Sequence, residues 1–241
     1  MSEPLFPGGV AVSELRVYDW QASDGCFGGS PHLHTASSEA YLVRAGSGEV
    51  HTVTPAGRSA HPLAPGDIVW FSPGTVHRLV NGGELGITVI MQNAGLPEAG
   101  DAVLLFPNDV LDDPDAYERA ATLPDDPDAR ADAALARRDL AVAGYTALLA
   151  DIEARGAEDT MADLHARAVA LVRPRVGRWR QLWNASAGAD AARTRAQLDA
   201  LAAGRTGLLA EAAVARAIPN PTARFGMCGR LDTWAWPASG G

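Results

Sequence analysis

The chain has 241 residues, of which 47% are hydrophobic and 20% are charged, and its formal net charge is −9. This length allows one large domain or two small ones, each with a buried core. The acidic balance argues against a general affinity for nucleic acids or anionic membranes, because phosphate binding needs clustered positive charge. We therefore expect neither a nucleic-acid partner nor a membrane partner.

Two residue types bear on the compartment and on the chemistry. Cys26 and Cys228 are the only cysteines, too few for a disulfide scaffold, and the N-terminus lacks the pattern of a signal peptide. We therefore expect a cytoplasmic protein. All 20 basic residues are arginine, and the absence of lysine excludes Schiff-base and pyridoxal-phosphate chemistry, which needs a lysine amine.

The first part of the chain predicts an all-β unit, which we assign to residues 1–110. Runs of strand length recur between turns that contain glycine and proline, a spacing that is typical of a sandwich or a barrel. The runs are Gly9–Val12, Leu15–Tyr18, Ala40–Val43, Val50–Val53, Asp67–Phe71 and Gly86–Ile90.

The second part predicts a helical extension over residues 111–217. Asp128–Arg155 contains no proline and carries an apolar stripe at helical spacing. A second helical stretch begins at Asp159, and Pro174 should kink or divide it. A third covers Ala189–Ala217, where Gly204 and Gly207 are positions at which it could break.

The last residues, 218–241, mix β-forming residues with glycine. We expect this tail to pack back on the β unit. The predicted fold class is α+β, an antiparallel β-barrel followed by a small helical appendage.

Five of the six histidines lie before residue 78, and three of them have the spacing of metal ligands. His32 and His34 are two residues apart, so both imidazoles point to one face of a strand. A four-residue polar turn precedes Glu39 and lets the chain return a carboxylate toward the same cavity, and His77 follows a Pro-Gly turn. Three imidazoles and one carboxylate suit Fe, Mn, Ni, Co, Zn or Cu and leave one or two positions open, as a catalytic site requires.

These residues resemble the two motifs of the cupin superfamily, G-x5-H-x-H-x3/4-E-x6-G and G-x5-P-x-G-x2-H-x3-N. The matching positions are His32, His34, Glu39 and Gly46 in the first motif, and Gly66, Gly74, His77 and Asn81 in the second. Two turn positions differ, because Cys26 replaces the first glycine and Ser72 replaces the proline. Neither position is a ligand, so the differences do not put metal binding in doubt.

The resemblance implies a jelly-roll barrel that holds one divalent transition metal, either Fe, Mn, Ni or Zn. The implied ligands are His32, His34, Glu39 and His77. The first hypothesis for function is a metal-dependent enzyme that acts on a small organic molecule, a dioxygenase-type oxidoreductase. Such an enzyme needs little from the protein besides the metal ligands.

Two alternatives stay open. A metal-dependent isomerase, epimerase or lyase, for example one acting on a sugar, needs a base beside the metal. Tyr41, His51 and Glu49 are the groups available as that base. Together with the ligand Glu39, we take Tyr41 and His51 as the candidate catalytic residues. The other alternative is a non-enzymatic sensor or interaction protein, and a homodimer is expected in either case. Cys228 could approach the metal, although an ordinary buried thiol is the favoured interpretation.

Overall fold

The computed structural model describes residues 6–235. Its strands are β1 (Ala11–Val17), β2 (His32–His34), β3 (Glu39–Thr54), β4 (Gly57–Leu63), β5 (Ile68–Phe71), β6 (Val76–Met91), β7 (Ala102–Leu104), β8 (Ile218–Pro219), β9 (Arg224–Phe225), β10 (Gly229–Asp232) and β11 (Trp234–Ala235). Its α-helices are α1 (Asn108–Leu111), α2 (Pro114–Ala121), α3 (Pro127–Arg155), α4 (Ala157–Val172), α5 (Val176–Ala185) and α6 (Ala187–Ala202).

Within residues 6–235, nine strands form one antiparallel sheet. Its main path runs β4-β3-β6-β1-β10-β9, while β5 pairs with β3, and β2 pairs with both β6 and β7. The short strands β8 and β11 pair with each other. The predicted fold class, an antiparallel β-barrel followed by helices, is confirmed.

Two of the strands are longer than the sequence predicts. β3 and β6 each have 16 residues, and residues 45–48, the glycine-containing segment between the predicted strands Ala40–Val43 and Val50–Val53, lie inside β3. The pairing of β3 with β6 shifts register three times between Val43 and Gly48. Gly46 permits this, since its φ is +73° and an added Cβ would lie 2.3 Å from the Glu84 carbonyl oxygen. A turn-like sequence has therefore produced β-bulges that bend two paired strands.

The sheet separates two hydrophobic cores. The barrel interior contains inward-facing residues of β1, β3 and β6, such as Leu15, Tyr41 and Ile87. On the outer face, Leu33 and Val76 pack in one cluster with residues of α3, α4 and α5. The helices are thus attached to the barrel through a shared core. The proposed domain limits at residues 110 and 217 stay predictions.

The helices follow the sequence prediction over α3 and α4. Pro174 lies in a short 3₁₀ turn between α4 and α5 and divides the helices there, as predicted. The third helical stretch ends inside its predicted range, because α6 ends at Ala202, just before Gly204, one of the two predicted break positions. Gly204 has a φ of +69°, a left-handed conformation that ends helices. Among the residues 6–235, no helix combines the length and the apolar character needed to cross a bilayer.

The tail contributes two strands, β9 and β10, to the barrel sheet. β10 pairs with β1 from Glu14 opposite Asp232 to Val17 opposite Gly229. The Tyr18 amide also donates a hydrogen bond to the Cys228 carbonyl oxygen. Cys228 is thereby held inside the barrel. Trp236 and the residues after it lie outside the described part of the chain.

One contact between α3 and the barrel leaves no room for a side chain. A Cβ on Gly144 would lie 2.1 Å from the carbonyl oxygen of Leu105. We expect Gly144→Ala to lower the free energy of unfolding by about 1–3 kcal/mol, because overpacking outweighs the better helix propensity of alanine. Gly177 lies in α5 with no atom near its missing Cβ, so Gly177→Ala should instead add about 0.5–1 kcal/mol. Urea denaturation of both variants checks this, and equal responses would contradict it.

Candidate metal centre

Three of the four predicted ligands are histidines that lie on two paired strands, β2 and β6. His32 lies directly opposite His77 in the pairing of β2 with β6, and His34 shares the face of His32 because side chains alternate along a strand. Leu33, between them, points into the outer core. All three imidazoles are buried.

Glu39 completes the cluster. It is the first residue of β3, where it pairs with Phe71 of β5 and Met91 of β6. One ligand atom from each of His32, His34, Glu39 and His77 can be chosen so that all lie within 4.8 Å of one another. The structure therefore brings together all four predicted ligands.

The orientation of two imidazoles fits a cation between them. His32 Nδ1 lies 2.9 Å from the Ser30 carbonyl oxygen, and His77 Nδ1 lies 3.1 Å from the Thr75 carbonyl oxygen. A carbonyl oxygen only accepts, so each Nδ1 carries a proton, and Nε2, which has a lone pair when unprotonated, is the nitrogen that faces the other ligands. The two Nε2 atoms are 3.1 Å apart. Two lone pairs at this distance repel each other unless a cation or a proton lies beside them.

The carboxylate supports the same conclusion. Glu39 Oε2 is buried without a hydrogen-bond partner among the described residues, although it lies 3.0 Å from His77 Nε2 and 3.3 Å from His34 Nε2. Burial acts to raise the pKa of Glu39, but the neighbouring His77 and His34 hold it well below its usual value. The residues present therefore fit a divalent metal with three nitrogen ligands and one oxygen ligand.

His32 and His34 have opposite electrostatic environments. Burial, together with the neighbouring His77 and His34, lowers the pKa of His32 well below its usual value. Burial also acts to lower the pKa of His34, but Asp101 and Glu39 flank this ring and raise its pKa to about 9. His34 in the metal-free protein is therefore a cation between two carboxylates, and metal binding must displace its Nε2 proton.

Asp101 is a buried residue beside the centre that the sequence analysis missed. Its Oδ2 lies 3.4 Å from His34 Nδ1. Burial acts to raise the pKa of Asp101, but the neighbouring His34 ring, together with hydrogen bonds from Thr35 and Ser37, lowers it. No motif marks this residue, which lies 66 positions after its partner Thr35.

Tyr41 lies inside the barrel next to the ligands. Its ring is edge-on to the His77 ring with the centroids 6.3 Å apart, and its hydroxyl has no hydrogen-bond partner among the described residues. Burial, the charge of Glu39 and the neighbouring Cys228 raise the pKa of Tyr41 well above its usual value. The phenol therefore stays protonated near neutral pH.

Cys228 also lies beside the cluster. Its Sγ is 4.0 Å from His32 Nδ1, the ring nitrogen that faces the Ser30 carbonyl oxygen rather than Glu39. Burial and the charge of Glu39 raise the pKa of Cys228. Cys228 is therefore a buried, protonated thiol, in agreement with the interpretation favoured from the sequence.

His51 does not reach the cluster, in contrast to its prediction as a catalytic residue. Thr52 lies opposite His77, so His51 points to the other face of the sheet, where its Nε2 is 2.9 Å from Glu49 Oε2. The reason is the set of bulges in β3. Before them the odd-numbered Glu39 and Tyr41 face inward, and after them the even-numbered residues do.

The non-ligand motif positions have structural roles. Asn81 donates from Nδ2 to the carbonyl oxygens of Val17 and Tyr18 and accepts from the amides of Gly83 and Leu85. These hydrogen bonds fix the bend in the middle of β6 against the end of β1. The motif glycines Gly46, Gly66 and Gly74 all have left-handed φ angles.

Comparison with known proteins agrees with this geometry. The family model of the Cupin domain matches residues 22–91, a range that contains all four predicted ligands. No curated protein matches the chain.

Several solved structures resemble part of the chain. A protein from Acidithiobacillus ferrooxidans assigned as a sugar phosphate isomerase has 33% identity and a TM-score of 0.23, over 26% of this chain and 40% of its own. Oxalate decarboxylase from Bacillus subtilis has 19% identity and a TM-score of 0.29, over 34% of this chain and 20% of its own. A Cupin 2 conserved barrel domain protein from Salinispora arenicola has 17% identity and a TM-score of 0.29, over 41% of this chain and 77% of its own.

These structural similarities are partial, and the chain spans less than half the length of the first two proteins. The assignment rests instead on the family match and on the folded barrel that carries the motif residues. The chain therefore contains a cupin domain, in residues 22–91.

Proposed function

We propose that the protein is a metal-dependent enzyme of the dioxygenase type that acts on a small organic molecule. The proposed ligands are His32, His34, Glu39 and His77. The observation that carries the proposal is that the ligand set is complete, whereas none of the groups considered for proton transfer is a competent base.

Each candidate base is unsuited to its task. A general base at neutral pH needs a pKa near neutrality and must reach the substrate. His51 and Glu49 are on the opposite face of the sheet from His77 and bind each other. Tyr41 and Cys228 are near the centre, but burial keeps both protonated. Proton abstraction as in an isomerase or lyase is therefore less well supported than chemistry that depends on the ligands.

The side chains of the chain then have three tasks. The three histidines and Glu39 bind the ion, and a redox-active divalent metal such as iron(II) would supply the electrons that oxygen chemistry needs. Tyr41 is positioned to donate a hydrogen bond to a bound molecule, since its hydroxyl is protonated and unpaired among the described residues. Phe71, stacked on His77 with ring centroids 4.4 Å apart, keeps water from one side of that ligand.

The proposal predicts an accessible coordination position. Anaerobic protein loaded with iron(II) should bind nitric oxide, a probe for oxygen, and give the EPR signal of an iron nitrosyl. His77→Ala should give little signal, whereas His61→Ala should match the wild type because His61 is exposed and lies outside the cluster. A silent wild-type spectrum would count against the oxygenase.

The same metal-loaded preparations distinguish the dioxygenase from the alternative enzyme class. An isomerase, epimerase or lyase should turn over its substrate with Zn²⁺ or Mn²⁺ and without oxygen, because the metal then acts as a Lewis acid. Oxygen-independent turnover would replace the dioxygenase proposal.

The homodimer also remains a proposal. The outer face of β5 and β6 exposes the apolar side chains of Ile68, Trp70 and Ile90. Exposed apolar patches of this kind often mark protein interfaces.

A further inference from the structure

We propose that Asp101 is a positioning residue for the metal centre. In this role its carboxylate orients His34 so that Nε2 faces the metal, and it also fixes the turn that joins His34 to Glu39. The inference rests on the proposed metal site. It goes beyond the ligand motif, because Asp101 lies outside the residues 22–91 matched by the family model.

The first observation is the contact with His34. Asp101 Oδ2 lies 3.4 Å from His34 Nδ1, while His34 Nε2 lies 3.3 Å from Glu39 Oε2. An ionised carboxylate only accepts hydrogen bonds, so the Nδ1 that faces it must carry a proton. With that proton on Nδ1, the ring can offer its other nitrogen to a metal. Carboxylates that hold a ligand histidine in this way are a general feature of metal sites.

The second observation is the number of contacts from the same carboxylate to the turn. Asp101 Oδ1 accepts from the Thr35 amide at 2.9 Å, the Thr35 hydroxyl at 2.8 Å and the Ala36 amide at 2.6 Å. Its Oδ2 accepts from the Ser37 amide at 3.1 Å. One fully buried side chain thus binds three consecutive residues of the four that separate His34 from Glu39.

These contacts explain why the carboxylate is in place. Three backbone amides and one hydroxyl satisfy a buried negative charge, which would otherwise be costly. Asp101 itself lies at the end of a π-helical turn, Pro97–Asp101, directly before β7. Since β7 pairs with β2 at His34 opposite Ala102, the backbone of Asp101 is fixed next to its target.

Asp101→Asn tests the role with little change in size. The amide oxygen can still accept from the turn, but an amide NH₂ beside His34 Nδ1 would place two donors against each other. His34 should then move its proton to Nε2 or turn away, and the metal would lose a nitrogen ligand. We expect the Kd for Zn²⁺, measured by chelator competition, to rise about 10- to 100-fold.

Asn93 provides the matched control, because it binds the same turn without touching His34. Its Nδ2 donates to the Ala36 carbonyl oxygen at 3.2 Å, and its φ of +59° is tolerated by glycine. Asn93→Gly should lower the thermal stability of the metal-free protein and change the Kd for Zn²⁺ by no more than about threefold. A loss of affinity equal to that of Asp101→Asn would overturn the role of the His34 contact.

A second readout follows the ring itself. In ¹⁵N-labelled protein loaded with Zn²⁺, the His34 signals should show a protonated Nδ1 and a metal-bound Nε2, and Asp101→Asn should lose this pattern. Wild-type affinity and wild-type His34 signals in Asp101→Asn would overturn the inference, even if the variant is less stable.

His77→Ala separates the two proposals. If His77→Ala loses Zn²⁺ while Asp101→Asn binds normally, only the role of Asp101 fails. If His77→Ala also binds Zn²⁺ as the wild type does, the metal site itself is wrong and the inference falls with it.

Discussion

Metal-free protein should bind one divalent ion per chain, and His77→Ala should abolish most of this binding. With free Zn²⁺ at 1,000 times its Kd, the free energy of unfolding should rise by about 4 kcal/mol. The reason is the geometry of the donor set, in which His32 Nε2 and His77 Nε2 lie 3.1 Å apart and Glu39 Oε2 lies 3.0 Å from His77 Nε2 and 3.3 Å from His34 Nε2. An ion converts these unfavourable contacts into ligand bonds.

The loss in His77→Ala should exceed the roughly 10- to 100-fold loss typical of residues outside the ligand shell. Elemental analysis and thermal unfolding with and without Zn²⁺ measure the effect. His165→Ala is a suitable comparison, because this imidazole binds the Gly74 carbonyl oxygen from α4 and is not part of the cluster. It should lose some stability and keep its metal. Equal metal content in wild type and His77→Ala would disprove the site.

The affinity should also depend on pH in a defined direction. The pKa of His34 is raised from 6.5 to about 9 in the metal-free protein, so its protonation stabilises the folded state fully below pH 6.5. This stabilisation is lost as the pH rises through about 9. The ion must displace the same proton, so the affinity should increase about tenfold per pH unit from 6.5 toward 9. The metal-free form should therefore lose stability between pH 6.5 and 9, whereas the metal-loaded form should change little, because the gain in affinity offsets the lost protonation of His34. Thermal unfolding of both forms at several pH values tests this.

Much of the ligand set could be predicted from sequence because it depends on local geometry. His32 and His34 share a face through the two-residue period of a strand, whatever the rest of the fold does. Glu39 follows within one turn, and only the pairing of His77 with His32 needs the tertiary structure. The motif resemblance supplied that last step.

His51, one of the candidate bases, lies away from the cluster for a reason that sequence rarely reveals. Alternation from Tyr41 would place the odd-numbered His51 inside the barrel, but the register shifts around Gly46 reverse the alternation. A glycine-rich segment of this kind is consistent with either a turn or a bulge. The choice depends on the partner strand β6, whose residues are distant in the chain. Asp101 was missed for a similar reason, because its contacts with Thr35 and His34 are long-range.

The attachment of the helical part to the barrel was also beyond sequence analysis, and it leads to the largest expected loss of stability. Arg138 of α3 is completely buried. Its Nη1 donates to the carbonyl oxygens of Trp20 at 2.6 Å and Gly28 at 3.1 Å, and its Nη2 donates to that of Gln21 at 3.0 Å. One side chain therefore holds both ends of the loop that precedes His32.

Arg138→Met should lower the free energy of unfolding by about 3–5 kcal/mol. The methionine fills part of the volume but leaves buried carbonyl oxygens without their charged donor, at a cost of about 1–3 kcal/mol each. The Trp20 carbonyl keeps the Gly28 amide as a second donor, which limits the sum. Asp139, the acidic neighbour of Arg138, is half exposed, so its loss of a partner should add little.

Arg155→Met is the matched control for this change. Arg155 lies at the end of the same helix, and its guanidinium forms an exposed ion pair with Asp163 at 2.9 Å. Exposed pairs contribute about 0–1 kcal/mol, so urea denaturation should separate the two variants by at least about 2 kcal/mol. Similar losses would mean that α3 is held by its apolar contacts alone. A large loss in Arg138→Met alone would support a stabilising role of the helical part for the segment that leads into the metal centre. Arg138 binds the loop from Trp20 to Gly28, and Ser30, two residues later, accepts the hydrogen bond of the ligand His32.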